Sequence, residues 1–192
     1  MLAIVFFPFF DPLYLVLIAP AFILAMWAQN RVKKTYAEYS KVMASSAIPA
    51  HVAARRLLDA VGLNMVEVKR VPGELSDHYD PSKKRLALSE QNYRGTSLAA
   101  LGVAAHEAGH AIQHKVGYSM LNLRMSLVPI TMFSSKLLPF VIIGGFFFAI
   151  TEAIWLGVGV YMVLTVFQMI TLPVEFDASK RAKEELADLN IV

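Results

Sequence analysis

Three long apolar runs constrain this 192-residue chain more than any other feature, because they mark a protein that enters a lipid bilayer. They cover residues 13–28, 127–150 and 153–174. A helix needs about 20 apolar residues to cross the hydrocarbon core, and the apolar residues 1–10 can extend the shorter first run. We therefore predict about three transmembrane helices. The last two form a helical hairpin that turns at Thr151 and Glu152.

The composition supports this prediction. Hydrophobic residues make up 56% of the sequence and charged residues 17%, which is typical of a membrane protein with a modest polar domain and argues against disorder. The sequence has no cysteine. Disulfide scaffolds, cysteine-based zinc fingers, iron–sulfur clusters and cysteine nucleophiles are therefore excluded.

The positions of the basic residues predict how the chain lies in the membrane. Residues 1–30 contain no Lys or Arg, whereas 14 of the 18 basic residues lie from Arg31 to Arg124 and three more within residues 180–183. By the positive-inside rule these segments are cytoplasmic, and the turn at Thr151 and Glu152 lies outside. A secretory signal is less consistent with the sequence, because no basic segment precedes the first run. The net charge of +3 is then an orientation signal, and we expect no nucleic-acid partner.

The polar segment between the first two runs has the pattern of a small α+β domain. Apolar spacing predicts a helix over residues 47–61, an edge strand over 65–71, a hairpin of strands at 75–79 and 85–88, and a helix over 97–116. We accordingly divide the chain into four parts: residues 1–30 (first transmembrane helix), 31–126 (polar α+β domain), 127–174 (transmembrane hairpin) and 175–192 (C-terminal helix).

The last of these predicted helices contains His106-Glu107-Ala108-Gly109-His110, which is an H-E-x-x-H motif. Histidines at i and i+4 share one helix face, so both rings can reach one zinc ion. Glu107 can then take a proton from water whose pKa the zinc has lowered. The motif predicts hydrolytic zinc chemistry with one catalytic Zn²⁺.

A catalytic zinc site needs a third protein ligand, and three residues are candidates. His114 lies eight residues after His106, about 12 Å along an unbroken helix, so one ion cannot bind it together with both motif histidines. His78 lies in the predicted hairpin. Glu175 follows the third apolar run, and the predicted topology returns it to the membrane face that carries the motif. We favour Glu175.

Four stretches of the sequence carry a resemblance to a known family. They are Asp11-Pro12, Leu75-Ser76-Asp77-His78-Tyr79-Asp80-Pro81, the segment around the motif at residues 102–113, and Leu172-Pro173-Val174-Glu175-Phe176-Asp177-Ala178-Ser179. With these the chain resembles the YugP-like membrane zinc metallopeptidases (neutral zinc metallopeptidase family 2).

The resemblance implies a multi-pass protein of a bacterial cell membrane and a zincin-like metallopeptidase domain. It further implies a gluzincin-like site with His106, His110 and Glu175 as metal ligands and Glu107 as the base. Related membrane proteases carry an acidic residue four positions after their ligand glutamate; here that position is Ser179, and the nearby acid is Asp177.

Other polar residues are candidates for supporting roles. Asp77, Asp80 and Asp177 are possible acceptors for the second N–H of a metal-bound histidine. His78 and Tyr79 are candidate catalytic donors to the oxyanion of the tetrahedral intermediate. A peptide substrate could pair as an added strand with the edge of residues 65–71 or 85–88.

These features predict a membrane-anchored zinc endopeptidase that cuts peptide bonds of membrane or membrane-proximal proteins. One alternative is a non-catalytic scaffold or chaperone-like partner that zinc stabilises, which would have a fourth protein ligand. Another is an intramembrane site-2-type protease, but that needs the motif inside an apolar span and a later Asp-Gly ligand motif. The sequence contains no Asp-Gly dipeptide.

Overall fold

The computed structural model of the protein describes residues 12–191. The apolar residues 1–10 and Asp11, which the sequence interpretation used, lie outside the described residues. The first helix, α1, covers Pro12–Tyr39 and continues eleven residues past Ala28 into the basic segment. The predicted boundary at residue 30 therefore falls inside a continuous helix.

The polar segment forms a small α+β unit. Its elements are α2 (Ala50–Ala60), β1 (Glu67–Val71), β2 (His78–Asp80), β3 (Arg85–Ser89), α3 (Glu90–Arg94) and α4 (Leu98–Lys115). The order of helix, strand, hairpin and helix follows the prediction, with α3 as an unpredicted addition. Ser97 begins α4 as its N-cap, because its hydroxyl accepts a hydrogen bond from the backbone N–H of Ala100.

The three strands form one sheet in the order β1-β3-β2. β3 pairs in parallel with β1 and antiparallel with β2. The central position of β3 explains why Leu86, Ala87 and Leu88 are all fully buried. The prediction that residues 85–88 could offer a free edge to a substrate is therefore wrong. The edge strands among the described residues are β1 and β2.

The core of this unit lies between α2, α4, the sheet and the end of the last helix. It is built mainly from small alanines and from leucines such as Leu57, Leu58 and Leu101. Alanines along α4 let neighbouring helices approach closely. This close packing holds the motif helix firmly against its neighbours.

The last two helices are α5 (Ser119–Phe147) and α6 (Thr151–Asp188). The turn between them is residues 148–150, and Thr151 and Glu152 lie in the first helical turn of α6, so the predicted turn was placed slightly too late. α6 continues through Pro173 without a break, so residues 175–188 are an extension of the third apolar helix rather than a separate helix. Its 38 residues are more than a helix needs to cross a bilayer core.

α1, α5 and α6 are long and apolar enough to cross a membrane, judged by length and composition. The motif helix α4 is not among the candidate spans found in residues 12–191. The predicted mostly α-helical membrane protein with a small α+β unit is confirmed at this level. Its classification as zincin-like stays a prediction.

Candidate metal centre

Three side chains from two helices converge on one point. His106 and His110 stand one turn apart on α4, and Glu175 reaches them from α6. The Nε2 atom of His106 lies 3.1 Å from Oε2 of Glu175, and the Nε2 atom of His110 lies 3.5 Å from the same oxygen. One ligand atom from each of the three residues lies within 4.8 Å of the others.

A glycine allows α6 to come close enough for this convergence. A Cβ atom at Gly109 would lie 2.4 Å from the backbone oxygen of Ala178, so any larger residue there would push the helices apart. On α6, Val174, Ala178, Ala182 and Leu186 recur every four residues and are buried. This stripe seats α6 on α4 and places Glu175 beside the histidines.

Hydrogen bonds orient His110. Its Nδ1 atom lies 3.0 Å from Oε1 of the buried Gln113. The Gln113 amide donates to Val174 O and to Asp177 Oδ2, both at 2.8 Å and both acceptors only. Oε1 must therefore accept the Nδ1–H of His110. Its Nε2 atom is left facing Glu175, as a metal ligand requires.

His106 is held in a similar way by a neutral group. Its Nδ1 atom lies 3.1 Å from the hydroxyl of Ser179, one turn after Glu175 on α6. With Nε2 directed at the centre, the Nδ1–H of His106 donates to this hydroxyl. Ser179 thus occupies the place of the acidic residue that the related proteases carry.

The residues present fit a zinc ion. Two imidazole nitrogens and one carboxylate oxygen are the donor set of catalytic zinc sites, which keep the fourth position open. Tetrahedral bonds of about 2.0–2.1 Å place ligand atoms about 3.3–3.4 Å apart. The observed separations of 3.1 Å and 3.5 Å lie on either side of this value.

The electrostatics of the site separate the roles of Glu107 and His110. Burial raises the pKa of Glu107, although the nearby His110 and His106 oppose this shift. Burial alone would lower the pKa of His110, but its hydrogen bonds with Glu175 and Gln113 raise it. A metal and a proton compete for His110, so metal binding depends on pH.

A cavity of about 480 Å³ opens onto these groups between β2 and α5. Its walls include His78 and Tyr79 from β2, Arg124 from α5, and Glu107 beside the three converging side chains. This volume lies within the range of small-molecule and peptide sites. Reactants can therefore reach the centre from this side.

Comparison with known proteins agrees with this geometry. Residues 14–192 match the model of a family described as "Putative neutral zinc metallopeptidase". The chain belongs to this family. It is also 44% identical over 172 residues to "Putative membrane protease YugP" of Bacillus subtilis (strain 168), covering 90% of this chain and 76% of the relative. No solved structure gives a significant match.

Of the three candidates for the third ligand, Glu175 lies with His106 and His110 in the group that could hold a metal among residues 12–191. The other two candidates, His114 and His78, do not belong to this group. The Nδ1 atom of His114 instead lies 2.9 Å from the Tyr79 hydroxyl. His78 lines the cavity, and its Nδ1 atom lies 2.7 Å from Ser76 O. Tyr79 also lines the cavity, and burial and then Asp80 raise its pKa. The catalytic roles of His78 and Tyr79 stay predictions.

None of the three predicted supporting acids, Asp77, Asp80 and Asp177, has a direct hydrogen bond with His106 or His110 among the contacts of the described residues. Asp77 accepts hydrogen bonds from Ser89 and from the Nδ2 atom of Asn92, and so joins the loop before β2 to the start of α3. The Asp80 carboxylate accepts from Ser82, which lowers its pKa to about 2. Asp177 accepts from Gln113 and Arg181, so it reaches His110 only through Gln113.

Three residues of the site were missed by the sequence interpretation. Gln113 lies three residues after His110, a spacing that shares a helix face and could have been noticed. Ser179 was noted only as a departure from the related proteases. The Nη1 atom of Arg124 lies 3.6 Å from Glu175 Oε1. In the sequence, Arg124 is a basic residue beside an apolar run, and nothing there indicates this contact. Its proximity depends on how α5 packs.

Proposed function

We propose that this protein is a membrane-anchored, zinc-dependent endopeptidase that hydrolyses peptide bonds of membrane or membrane-proximal proteins. The observation that supports it most is the convergence of His106, His110 and Glu175 beside the buried Glu107. The family to which the chain belongs and the name of its relative agree with this proposal.

The residues have distinct roles in this proposal. The two histidines and Glu175 hold the zinc, which when bound supplies Lewis acidity and a water of lowered pKa. Glu107 accepts a proton from the attacking water and donates it to the leaving amine. His78 and Tyr79 stand on the cavity wall. From there the His78 ring can donate a hydrogen bond to a substrate oxygen, and the Tyr79 hydroxyl can do so by exchanging its contact with His114 for one with the substrate. Arg124 neutralises part of the charge of Glu175.

The site is proposed to face the cytoplasm of a bacterial cell. The basic residues on the polar unit and on the end of α6 support this orientation. An intramembrane site-2-type mechanism is disfavoured because α4 packs against α2 and α6, and is not among the apolar helices that could span. A closed structural zinc site is disfavoured because a cavity adjoins the three ligands.

The test uses the full-length protein in lipid nanodiscs, loaded with zinc and incubated with a panel of peptides and membrane proteins. Glu107→Gln should lower the cleavage rate by about 10²–10⁴-fold, because it removes the general base, while zinc content stays constant. A matched control is Glu184→Gln, which changes an exposed glutamate at the end of α6.

A chelator should abolish cleavage, and added zinc should restore it. Cleavage by a zinc-loaded Glu107→Gln variant at the wild-type rate would refute the proposed chemistry. Failure of the wild type to cut any member of a broad panel would count against the endopeptidase.

A further inference from the structure

A second and larger cavity reaches the metal centre from the other side. It measures about 890 Å³ and lies between the cytoplasmic end of α1, the first half of α4 and the end of α6. We call it the α1–α4 groove. Its apolar walls include Val32 from α1, Leu98 and Val103 from α4, and Leu186 from α6.

The α1–α4 groove and the 480 Å³ cavity share three lining residues: Asp77, His106 and Glu107. The centre is therefore reached from two sides, with the proposed base and the first histidine between them. A peptide segment that lies in the α1–α4 groove therefore has His106 and Glu107 beside it.

The α1–α4 groove begins where α1 leaves its apolar section. Arg31, the first basic residue of the sequence, lines the groove, and Lys183 lines it from α6. Basic residues of this kind lie in the headgroup region on the cytoplasmic side of a membrane. Just beyond them, Val32 and Leu75 are 68% and 77% exposed, which leaves apolar surface without cover.

Gly102 on α4 borders open space in the α1–α4 groove. Gly102 stands one helical turn before His106, on the same face of α4, and lines the groove. A Cβ atom added there would meet nothing within 4 Å, so the space above it is free. Leu98, Gly102 and His106 thus form a path along α4 that leads from apolar surface to the centre.

We infer that the α1–α4 groove binds an apolar, extended segment of the substrate that lies next to the membrane surface, immediately beside the bond to be cut. The inference rests on the proposed endopeptidase function and adds the substrate class to it. Its physical basis is the continuity of the groove with Glu107, its apolar walls and its opening at the headgroup level.

A binding experiment tests the inference without requiring cleavage. Because the sequence has no cysteine, Gly102→Cys introduces a unique thiol in the α1–α4 groove. The background is zinc-loaded Glu107→Gln in nanodiscs, and the reagent is a maleimide. Two water-soluble peptides are the probes. In the first, called the block peptide, a run of leucine and alanine lies beside a polar segment. The second is a scrambled peptide of the same composition.

At a concentration about ten times its Kd, the block peptide should slow labelling of Gly102→Cys by about tenfold, because the thiol reacts only in the fraction of protein without bound peptide. It should have little effect on a control thiol at Arg56→Cys, which is exposed on α2. The scrambled peptide should protect Gly102→Cys less. Equal protection by both peptides, or protection by lipid alone, would overturn the inference and assign the groove to another ligand.

A cleavage experiment provides the second test. Gly102→Trp fills the α1–α4 groove, and should lower kcat/KM for the block peptide by about tenfold and more than for the scrambled peptide. The matched control is Gly159→Trp on α6, where an added Cβ also meets nothing within 4 Å.

The two tests separate the inference from the proposed function. If Gly102→Trp and Gly159→Trp behave alike while Glu107→Gln still abolishes cleavage, the groove inference is wrong and the endopeptidase stands. If no variant or peptide is cut but the block peptide protects Gly102→Cys, the binding segment stands and the endopeptidase fails.

Discussion

At the residue scale, the orientation of His110 depends on Gln113. The fully buried Gln113 amide donates its two N–H groups to Val174 O and Asp177 Oδ2, and its oxygen accepts the hydrogen bond from His110. Partners of this kind hold a metal-binding ring in place and fix its tautomer, and their loss costs 10–100-fold in affinity. Gln113 is therefore a positioning residue for the proposed zinc site.

We expect Gln113→Leu to weaken zinc binding by about 10–100-fold, because His110 loses its acceptor while the volume of the side chain is nearly kept. Competition with a chromophoric chelator measures the affinity. Gln91→Leu on the exposed side of α3 is the matched control and should not change it. Unchanged zinc affinity in Gln113→Leu would show that the hydrogen bond does not orient the ligand.

Glu107 should also influence stability when no metal is bound. Burial raises its pKa above the ordinary value of 4.5, so the folded protein holds this proton at pH values where the unfolded chain has released it. The contribution of this proton to the free energy of unfolding is therefore fully present below pH 4.5, and it is lost as the pH rises from 4.5 to the raised pKa.

Glu107→Gln removes this titration. In the presence of a chelator, the variant should be more stable than the wild type at neutral pH, and the difference should shrink toward pH 4.5. Denaturation of both proteins in detergent across this range measures it, with Glu184→Gln as the exposed control. A difference that is constant with pH would contradict the assigned direction.

At the scale of elements, the contact between α4 and α6 creates the site. The helices meet where Gly109 faces the backbone of Ala178, and the same contact carries Glu175 and Ser179 to the motif. The absence of a Cβ atom at Gly109 thus allows His106, His110 and Glu175 to meet. Substitutions at Gly109 and at Gly102, the other glycine of α4, can measure how much this close contact contributes to stability.

Gly109→Ala should destabilise the protein by about 1–3 kcal/mol, because the new methyl group overlaps the Ala178 backbone. Gly102→Ala, in the same helix but facing open space, should stabilise it by about 0.5–1 kcal/mol through helix propensity. Thermal unfolding in detergent compares the two. Zinc affinity should also fall in Gly109→Ala, and equal stability of both variants would rule out a tight contact.

At the scale of the whole molecule, the hairpin of α5 and α6 forms part of the proposed site. α6 is one helix from Thr151 to Asp188, so the segment that could cross the bilayer is continuous with the segment that carries Glu175. The +3 net charge and the placement of basic residues predict that the polar unit and the end of α6 share one side of the membrane.

Single cysteines test this topology, since the parent sequence has none and gives no background. We expect Arg94→Cys and Lys183→Cys to react with an impermeant thiol reagent only after the cells are opened. Glu152→Cys, at the other end of α6, should react in intact cells. Labelling of the first two from outside would reverse the predicted orientation.

The sequence by itself determined the features that local spacing controls. Apolar runs of 16 to 24 residues set the three long helices, alternation and turn residues set the strands, and the i, i+4 spacing set the pairing of His106 with His110. Glu175 was predicted from where the third run ends, and among the described residues it is the acid that meets the histidines. The helices, the strands and the pairing of the two histidines depend on neighbours along the chain or on the bilayer thickness, whereas the meeting of Glu175 with the histidines also requires the contact between α4 and α6.

Only the tertiary structure decided which distant groups meet. The partners Gln113–Asp177 and His106–Ser179, the approach of Arg124 to Glu175, and the α1–α4 groove all depend on how helices pack. The central position of β3 is of the same kind, because strand order is set by long-range pairing. Packing depends on shape across the whole molecule, such as the missing Cβ at Gly109, and a one-dimensional pattern does not contain that shape.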